Sequence, residues 1–231
     1  MKYDVIILSY LRPDQATVCV RHILNQRPAP AKIYVWHNHP CRRKISGVIN
    51  IYSESNLKCR SRHALGMLSD ADACVFVDDD LFVTDTTVCN RLAEAAMNHN
   101  NAVGPFGRRC LRISNEMYHG KDTMVFNHKD GLASVAVGRM HAIQRTLIHH
   151  AFSRDLPEDV WTEDDIVLSA SVEMGTKTPP MILSFHPDGF KKHRDDLGNQ
   201  NRPTHYSRRN AACMHMASLG WNPLGWSISD S

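Results

Sequence analysis

Apolar residues in the first hundred positions alternate between two patterns. Short runs rich in β-branched residues, which are typical of buried strands, cover 4–10, 32–38, 48–53 and 73–80. Between and after these runs, apolar residues recur at helical spacing over 14–26, 57–70 and 86–100. Strands that alternate with helices build a mainly parallel sheet covered by helices, so this half predicts an α/β layer that binds a nucleotide.

The second half begins with shorter and less regular signals. Strands separated by turns are predicted between about Ala102 and Gly138, in the segments 111–118, 123–127 and 133–138. We expect these strands to add an antiparallel portion to the fold.

Two helices and one strand are predicted after this region. The first helix covers 161–175, with Gly175 as its C-cap, and a buried strand over 179–186 follows it. A polar tail then leads to a final helix that begins near His205.

Length and composition fit one globular domain of the α/β class. The 231 residues are 42% hydrophobic and 22% charged, and no repeat or Gly/Ser-rich linker divides them. We therefore predict a single domain over 1–231. Its nucleotide-binding half is 1–100, and 101–231 holds an acceptor-binding half and a C-terminal tail.

Charge, cysteine content and the N-terminus narrow the partners and the compartment. A net charge of +3 is too small to indicate a nucleic-acid partner. Seven cysteines lie at spacings that do not match a metal site, and their odd number favours reduced thiols. The apolar run at the N-terminus is too short for a secretory signal or a membrane span. We expect a cytoplasmic protein with no membrane span.

Three consecutive carboxylates, Asp78, Asp79 and Asp80, follow the apolar run of the fourth predicted strand. We call them the acidic triplet. In open α/β sheets, ligands bind outside the carboxyl ends of the strands, and Mg²⁺ or Mn²⁺ would offset the repulsion among three acids. Because side chains alternate along an extended segment, we expect Asp78 and Asp80 to point together and Asp79 to point away. An exposed acidic turn is the alternative.

Cationic residues lie at the start of the helix that precedes this strand. Lys58, Arg60 and Arg62 fall within a few positions of each other, and helix N-termini and arginine side chains both bind phosphate. Because Arg60 and Arg62 are two residues apart, we expect at most one of them to face a ligand. A solvated basic face is the alternative.

The first two predicted strands end in residues suited to a nucleotide base. Tyr10 precedes the turn at Arg12 and Pro13, and Asn38 ends the second strand. Tyr10 can stack on a base and Asn38 can bind its edge. Ordinary turn chemistry and packing are the alternatives for both.

A second acidic cluster, Glu163, Asp164 and Asp165, precedes the apolar part of the helix over 161–175. We call it the acidic turn. The spacing from Thr162 to Asp165 matches a variant of the capping box, and acids suit the first turn of a helix. One interpretation is therefore structural, and the other is a catalytic carboxylate in the same turn.

The polar tail contains one histidine among cations. His193 lies beside Lys191, Lys192 and Arg194. A neutral imidazole can complete a metal site, and the cations can bind pyrophosphate.

Taken in order along nearly the whole chain, these segments resemble the glycosyltransferase domain of the exostosin-like family, which has the GT-A fold. The similar segments are SYLRPD, YVWHN, the N-x-x-x-R-x-R stretch from Asn56, VFVDDD, SVAVG, EDDIVLSA, and HRDD followed by a final helix. The acidic triplet after an apolar strand is the most specific of them.

The resemblance implies a fold, a donor and a reaction. The fold is a mainly parallel sheet flanked by helices, with a smaller antiparallel portion on the acceptor side. The donor is a nucleotide-sugar, specifically a UDP-sugar, and Mn²⁺ or Mg²⁺ is held by the acidic triplet as a DXD-type motif. The reaction is transfer of a hexosyl or pentosyl group, with retention of configuration, to a glycan or other hydroxyl acceptor.

The resemblance also implies roles for individual residues. Asp165 matches the family's proposed catalytic carboxylate, and Asp164 matches the broader GT-A pattern. The expected metal ligands are Asp78, Asp80 and His193. The expected donor-binding residues, with Tyr10 added from its position, are Tyr10, Arg12, Asn38, Asn56, Arg60, Arg62, Asp78, Asp79 and Arg194.

Two other functions are compatible with these motifs. A nucleotidyltransferase also uses strand-end acids and Mg²⁺, but it carries a Gly-rich loop after its first strand, where this chain has LRPDQ. A non-catalytic module that binds a nucleotide or carbohydrate on the same fold is the second alternative.

Overall fold

Four parallel strands form one half of the central sheet, as the apolar runs predicted. The computed structural model describes residues 1–40, 43–110, 124–125, 130–192 and 203–223. The four strands are β1 (Tyr3–Ser9), β2 (Lys32–His37), β3 (Ile49–Tyr52) and β4 (Ala73–Asp78). They lie in the order β3-β2-β1-β4. The helices are α1 (Pro13–Leu24), α2 (Ser61–Met67) and α3 (Val88–Asn98).

The later part of the chain adds short strands to the same sheet and forms two small sheets. The strands are β5 (Leu81–Val83), β6 (Val103–Gly104), β7 (Gly107–Arg108), β8 (Met124–Val125), β9 (Gly131–Leu132), β10 (Val135–Ala136), β11 (Met140–Gln144), β12 (Met181–Ile182) and β13 (Phe190–Lys192). The main sheet continues from β4 as β11-β6-β12-β9, with β11 antiparallel to β4. The small antiparallel sheets are β10-β7-β8 and β13-β5.

Helices complete the layers around the sheet. They are the 3₁₀ helices Arg145–Phe152 and Pro187–Gly189 and the α-helices α4 (Glu158–Trp161), α5 (Asp164–Thr176) and α6 (His205–Ser218). No helix within the described ranges is long and apolar enough to cross a membrane. The fold is therefore a mixed α/β fold with a largely parallel sheet and small antiparallel additions, as predicted.

The core lies on both faces of the sheet, because neighbouring strand residues point to opposite sides. Val5 and Ile7 of β1 pack in one cluster with α1 and α3. Ile6 packs on the opposite face, in a cluster that includes Leu65 of α2 and Leu168 of α5. Burial on both faces explains why the first strands are almost uninterrupted apolar runs.

Some predicted elements differ from the structure. Gly175 was predicted as a C-cap, but it lies inside α5, and the left-handed residue at the helix end is Lys177, with φ 61°. A side chain at position 175 would collide with the ring of His150, so close packing explains this glycine. The strand expected over 179–186 is reduced to β12, and the segment 111–118 lies outside the described residues.

Candidate functional site

The acidic triplet lies where β4 ends at the carboxyl edge of the parallel strands. The strand stops at Asp78, and the chain turns through Asp79 and Asp80 into β5. Asp79 Oδ1 and Asp80 Oδ2 each lie 3.1 Å from Arg12 Nη1. Asp78 Oδ1 instead accepts a hydrogen bond of 2.8 Å from Arg62 Nη1. Because the chain turns after Asp78, Asp79 and Asp80 share Arg12, and the expectation that Asp79 points away from Asp80 is wrong. That Asp78 and Asp80 share an ion stays a prediction.

The triplet is crowded with negative charge. Burial raises the pKa of Asp79 to about 8 and that of Asp78 to about 6, although Arg12 and Arg62 act in the opposite direction. Asp80 raises both pKa values further. The side chain of Asp78 is 36% exposed, and its Oδ2 accepts no hydrogen bond from the described residues. Asp78 thus presents an open carboxylate oxygen beside excess negative charge.

Tyr10 and Arg12 reach the triplet from the end of β1. The Tyr10 backbone N–H donates to Asp79 Oδ2 at 3.2 Å, and Leu11 has a left-handed backbone, with φ 60°. The Tyr10 ring is partly exposed and lies edge-on to the ring of His39, with 6.0 Å between centroids. Stacking of Tyr10 on a base stays a prediction.

Asn38 is buried and holds a loop. Its Oδ1 accepts from the Leu57 N–H at 2.7 Å and from Ser53 Oγ at 3.3 Å. Its Nδ2 donates to Asn56 Oδ1 at 2.7 Å and to the Lys58 carbonyl at 3.1 Å. Because both ends of the amide are occupied, Asn38 shapes the segment before α2 and presents no unpaired edge. Direct contact of Asn38 or Asn56 with a donor stays a prediction.

Arg60 and Arg62 point to different surroundings, and whether either faces a ligand stays a prediction. The helix α2 begins at Ser61, later than predicted. The guanidinium of Arg60 lies over the ring of Trp161, 3.7 Å from its centroid. Arg62 is buried beside Asp78.

Arg62 links the acidic triplet to the acidic turn. Besides Asp78, it binds both oxygens of Asp164, through Nε at 2.7 Å and Nη2 at 2.9 Å. It also donates to the Gly138 carbonyl at 2.8 Å. A Cβ atom at position 138 would lie 2.7 Å from Arg62 Nη2, so only glycine allows this approach. Burial works against the charge of Arg62, but Asp164 and Asp78 raise its pKa well above the usual range.

The acidic turn does not form a capping box. Glu163 occupies the N-cap position of α5 without a side-chain capping bond, and Thr162 Oγ1 donates to the Asp159 carbonyl. The three carboxylates bind arginines: Asp164 binds Arg62, while Glu163 and Asp165 bind an arginine of α6. The turn is therefore held by long-range ion pairs.

Asp165 is the most completely paired carboxylate of the site. Arg209 of α6 donates to Oδ1 at 3.0 Å and to Oδ2 at 2.9 Å, and it also binds Glu163 Oε2 at 2.9 Å. The backbone N–H groups of Ile166 and Gly138 donate to the same two oxygens, each at 2.9 Å. Burial works to raise the pKa of Asp165, but Arg209 and these donors hold it well below its usual range. Asp165 therefore stays ionised.

Sequence reasoning missed Arg209 and did not predict that Lys192 lies beside the triplet. Arg209 lies on the buried face of α6, which its helical spacing to Ala212 and Cys213 indicates. Lys192 of β13 pairs with Leu81, directly after the triplet. Burial and Arg139 lower the pKa of Lys192. The sequence named Lys192 as one of the cations that can bind pyrophosphate, but only strand pairing brings it to Asp80, so its place beside the triplet had no local signal.

The predicted metal ligands are only partly covered by the structure. His193 and Arg194 lie outside the described residues. In the described part of the chain, no three or more His, Cys, Asp or Glu side chains form a group that could hold a metal ion. His205, at the start of α6, has a pKa lowered to about 4 by burial and Arg209, and its Nδ1 has no hydrogen-bond partner among those residues.

Comparisons with known proteins show which solved structures have a similar fold. No protein-family model and no curated protein sequence matches the chain. A crystal structure of S. aureus TarS, a glycosyltransferase, matches with a TM-score of 0.55 and 12% identity. The match covers 80% of this chain and 36% of the TarS chain. The chain has a glycosyltransferase-like fold. A structure of S. aureus TarS 1-349 also matches, with a TM-score of 0.55 and 11% identity. The match covers 80% of this chain and 59% of the TarS 1-349 chain.

The chain thus spans less than two thirds of either TarS structure. At this level of identity the likeness concerns the fold alone. It supports a glycosyltransferase-like architecture without distinguishing the exostosin-like family from others.

Proposed function

We propose that the protein is a metal-dependent glycosyltransferase that moves a sugar from a UDP-sugar to a glycan or other hydroxyl acceptor with retention of configuration. One observation carries the proposal. The acidic triplet lies at the carboxyl end of β4 in a glycosyltransferase-like sheet, with Arg12, Arg62 and Lys192 around it. Ligands of open α/β sheets bind at this edge.

The cations around the triplet suit a diphosphate. Arg12 and Lys192 flank Asp80 and supply positive charge on the side where the chain enters β5. In transfer from a nucleotide-sugar, negative charge develops on the leaving diphosphate, and positioned cations stabilise it. Tyr10, at the end of β1, is the proposed platform for the base.

The acidic triplet also fits a divalent cation of the Mg²⁺ or Mn²⁺ type. Such ions are commonly held by one or two carboxylates together with substrate phosphates. The open oxygen of Asp78 and the carboxylate of Asp80 are the proposed ligands, with His193 as a third. The ion would supply positive charge to the leaving diphosphate.

Asp164 and Asp165 are proposed to act through charge. Both carboxylates are buried and bound by arginines, so proton abstraction by either would require an arginine contact to break. Asp165 as a fixed anion can stabilise positive charge on the sugar without any such rearrangement. Arg62, which binds both Asp164 and Asp78, sets the distance between the acidic turn and the triplet.

Replacing Asp80 by Asn tests the metal assignment. We expect metal-dependent donor hydrolysis to fall by about 100-fold or more, because one anionic ligand is lost. Asp70→Asn is a matched control, since Asp70 is an exposed acid just before β4, at the opposite end of that strand. Hydrolysis of UDP-sugars with Mn²⁺ is the measurement, with circular dichroism to check the fold. Full activity in Asp80→Asn would refute the assignment.

One observation favours a second candidate, a non-catalytic nucleotide- or carbohydrate-binding module. Both acids of the proposed catalytic pair are buried, and each of their oxygens already accepts a hydrogen bond from an arginine. A thermal-shift screen of UDP- and GDP-sugars with and without Mn²⁺ measures binding independently of turnover. Binding without donor hydrolysis or transfer would favour the module, and turnover would favour the transferase.

A further inference from the structure

Two cysteines from distant parts of the chain are in contact inside the protein. The Sγ atoms of Cys110 and Cys213 lie 3.8 Å apart, and both residues are completely buried. Cys110 follows β7, and its backbone N–H donates to Ser134 Oγ at 2.9 Å. Cys213 lies on the buried face of α6. The pair therefore bridges the small β10-β7-β8 sheet and the C-terminal helix.

We propose that Cys110 and Cys213 form a reversible intrachain disulfide, a covalent modification site that is independent of the proposed transferase activity. The co-reactant is a low-molecular-weight disulfide such as oxidised glutathione. One of its sulfurs is attacked by a protein thiolate, and the second protein thiolate then displaces glutathione from the mixed disulfide. The balance is two protein thiols and one oxidised glutathione giving one protein disulfide and two reduced glutathione molecules.

The geometry requires only a small movement. A disulfide has an S–S distance of about 2.05 Å, so the two sulfurs must approach by about 1.8 Å. Rotation of the side chains about their Cα–Cβ bonds moves the sulfurs while the backbone stays in place. No other two cysteine sulfurs lie this close within the described residues: Cys19 and Cys74, for example, contact backbone carbonyls. The pairing is therefore specific.

Burial sets the conditions under which the bond forms. It raises the pKa of Cys213 well above the ordinary range, and contact with Cys110 adds to this effect. Because the thiolate is the attacking species, reaction in the closed protein is slow and requires a local opening at α6. The pair thus stays reduced under mild conditions and cross-links during prolonged oxidation.

The bond would fasten the helix that holds the acidic turn. Cys213 lies one helical turn after Arg209, whose guanidinium binds Glu163 and Asp165. A cross-link at Cys213 therefore restrains the part of α6 that carries this arginine. It also closes a long loop between positions 110 and 213, which restricts the unfolded chain.

Mass spectrometry of the oxidised protein tests the proposal. The full chain is incubated with oxidised glutathione at pH 8, with and without sub-denaturing urea, then denatured, alkylated and digested with trypsin without reduction. The expected product joins peptide 110–112 to peptide 210–231. Its formation should raise the midpoint of thermal unfolding by about 5–10 °C, and dithiothreitol should reverse the shift.

Variants separate this bond from other oxidation products. Cys110→Ala should lack the joined peptide and the thermal shift, whereas Cys74→Ala, a buried cysteine with no sulfur neighbour, should keep both. The proposal is overturned if both thiols are alkylated after oxidation in urea, if each carries a separate glutathione, or if the joined form unfolds at a lower temperature than the reduced form.

Discussion

The acidic triplet and the acidic turn are both runs of three carboxylates, yet the fold treats them in opposite ways. The triplet ends a strand, and Asp78 keeps an open oxygen. The turn begins a helix, where Asp164 and Asp165 are buried and bound on both oxygens by Arg62 and Arg209. The first keeps the open oxygen that the proposed cation requires, while the second is already neutralised by the protein.

The pKa values express the same difference. Burial raises the pKa of Asp79 to about 8, and Arg12 does not overcome it. For Asp165, burial has the same direction, but Arg209 and two backbone donors lower the pKa below its usual range. Equal sequence motifs thus acquire different chemistry through the number of donors that the fold brings to each.

The largest change in stability is expected when the cation that neutralises the acidic turn is removed. Arg209→Met leaves Glu163 and Asp165 buried without their main cation, so the free energy of unfolding should fall by about 3–5 kcal/mol. Arg208→Met is the control, because Arg208 is partly exposed and lies 3.5 Å from Glu163. Urea unfolding measures both. Equal, small losses would show that α6 does not hold the turn.

In the triplet, removal of a charge is expected to stabilise the protein, by a smaller amount. Since the folded-state pKa of Asp79 is raised, the folded protein binds more protons, and stability declines as pH rises from about 4 through 8. Asp79→Asn should therefore stabilise the protein by about 1–2 kcal/mol at pH 8 and flatten this decline. Unfolding is measured with a chelator present. A destabilised variant at pH 8 would contradict the view that the triplet is undercompensated.

Two histidines behind the acidic turn add a second pH dependence of stability. His63 and His141 lie with their Nε2 atoms 3.2 Å apart, and burial followed by Arg62 lowers the pKa of both. The unfolded chain therefore binds more protons, and stability is lost as pH falls below about 6.5. His141→Gln should reduce the loss between pH 7.5 and 5.5 by about 1 kcal/mol. The free energy of unfolding is measured by urea titration at each pH. If its dependence on pH is the same in His141→Gln, His141 does not contribute to the loss.

The smallest expected change in stability concerns Arg60, the arginine that lies over Trp161. Arg60→Ala removes the cation over Trp161 and should lower stability by about 0.5–1 kcal/mol, with no change in nucleotide-sugar affinity. Arg62→Ala is the comparison, and it should lower both the stability and the affinity for the nucleotide-sugar. Thermal shifts with and without UDP-sugar give the two quantities. A loss of affinity in Arg60→Ala would place Arg60 in the donor site.

The local elements could be predicted because their signals are local. The apolar runs identified β1 to β4, the helical spacing identified α1, α3 and α5, and the final helix was correctly expected to begin near His205. The short strands were less predictable, since β12 has two residues and its limits depend on pairing with β6 and β9. The 3₁₀ helix Arg145–Phe152 had no sequence prediction at all.

The contents of the candidate site could be predicted in part. The triplet was placed correctly at a strand end, but the contact of Arg62 with Asp78 was not predicted, and whether Arg62 faces a ligand stays a prediction. The loop-holding bonds of Asn38 were not expected, because they depend on how the segment at 53–58 folds back. Whether Asn38 contacts a donor stays a prediction.

The sequence by itself determined that an acidic triplet follows a buried strand and that an acidic turn precedes an apolar helix, because apolar periodicity and strand ends are local properties. Only the tertiary structure decided which carboxylates are neutralised. Arg62 and Asp164 are 102 positions apart, and Arg209 and Asp165 are 44 apart. Charge pairing depends on distance in space, which spacing along the chain does not encode at such separations.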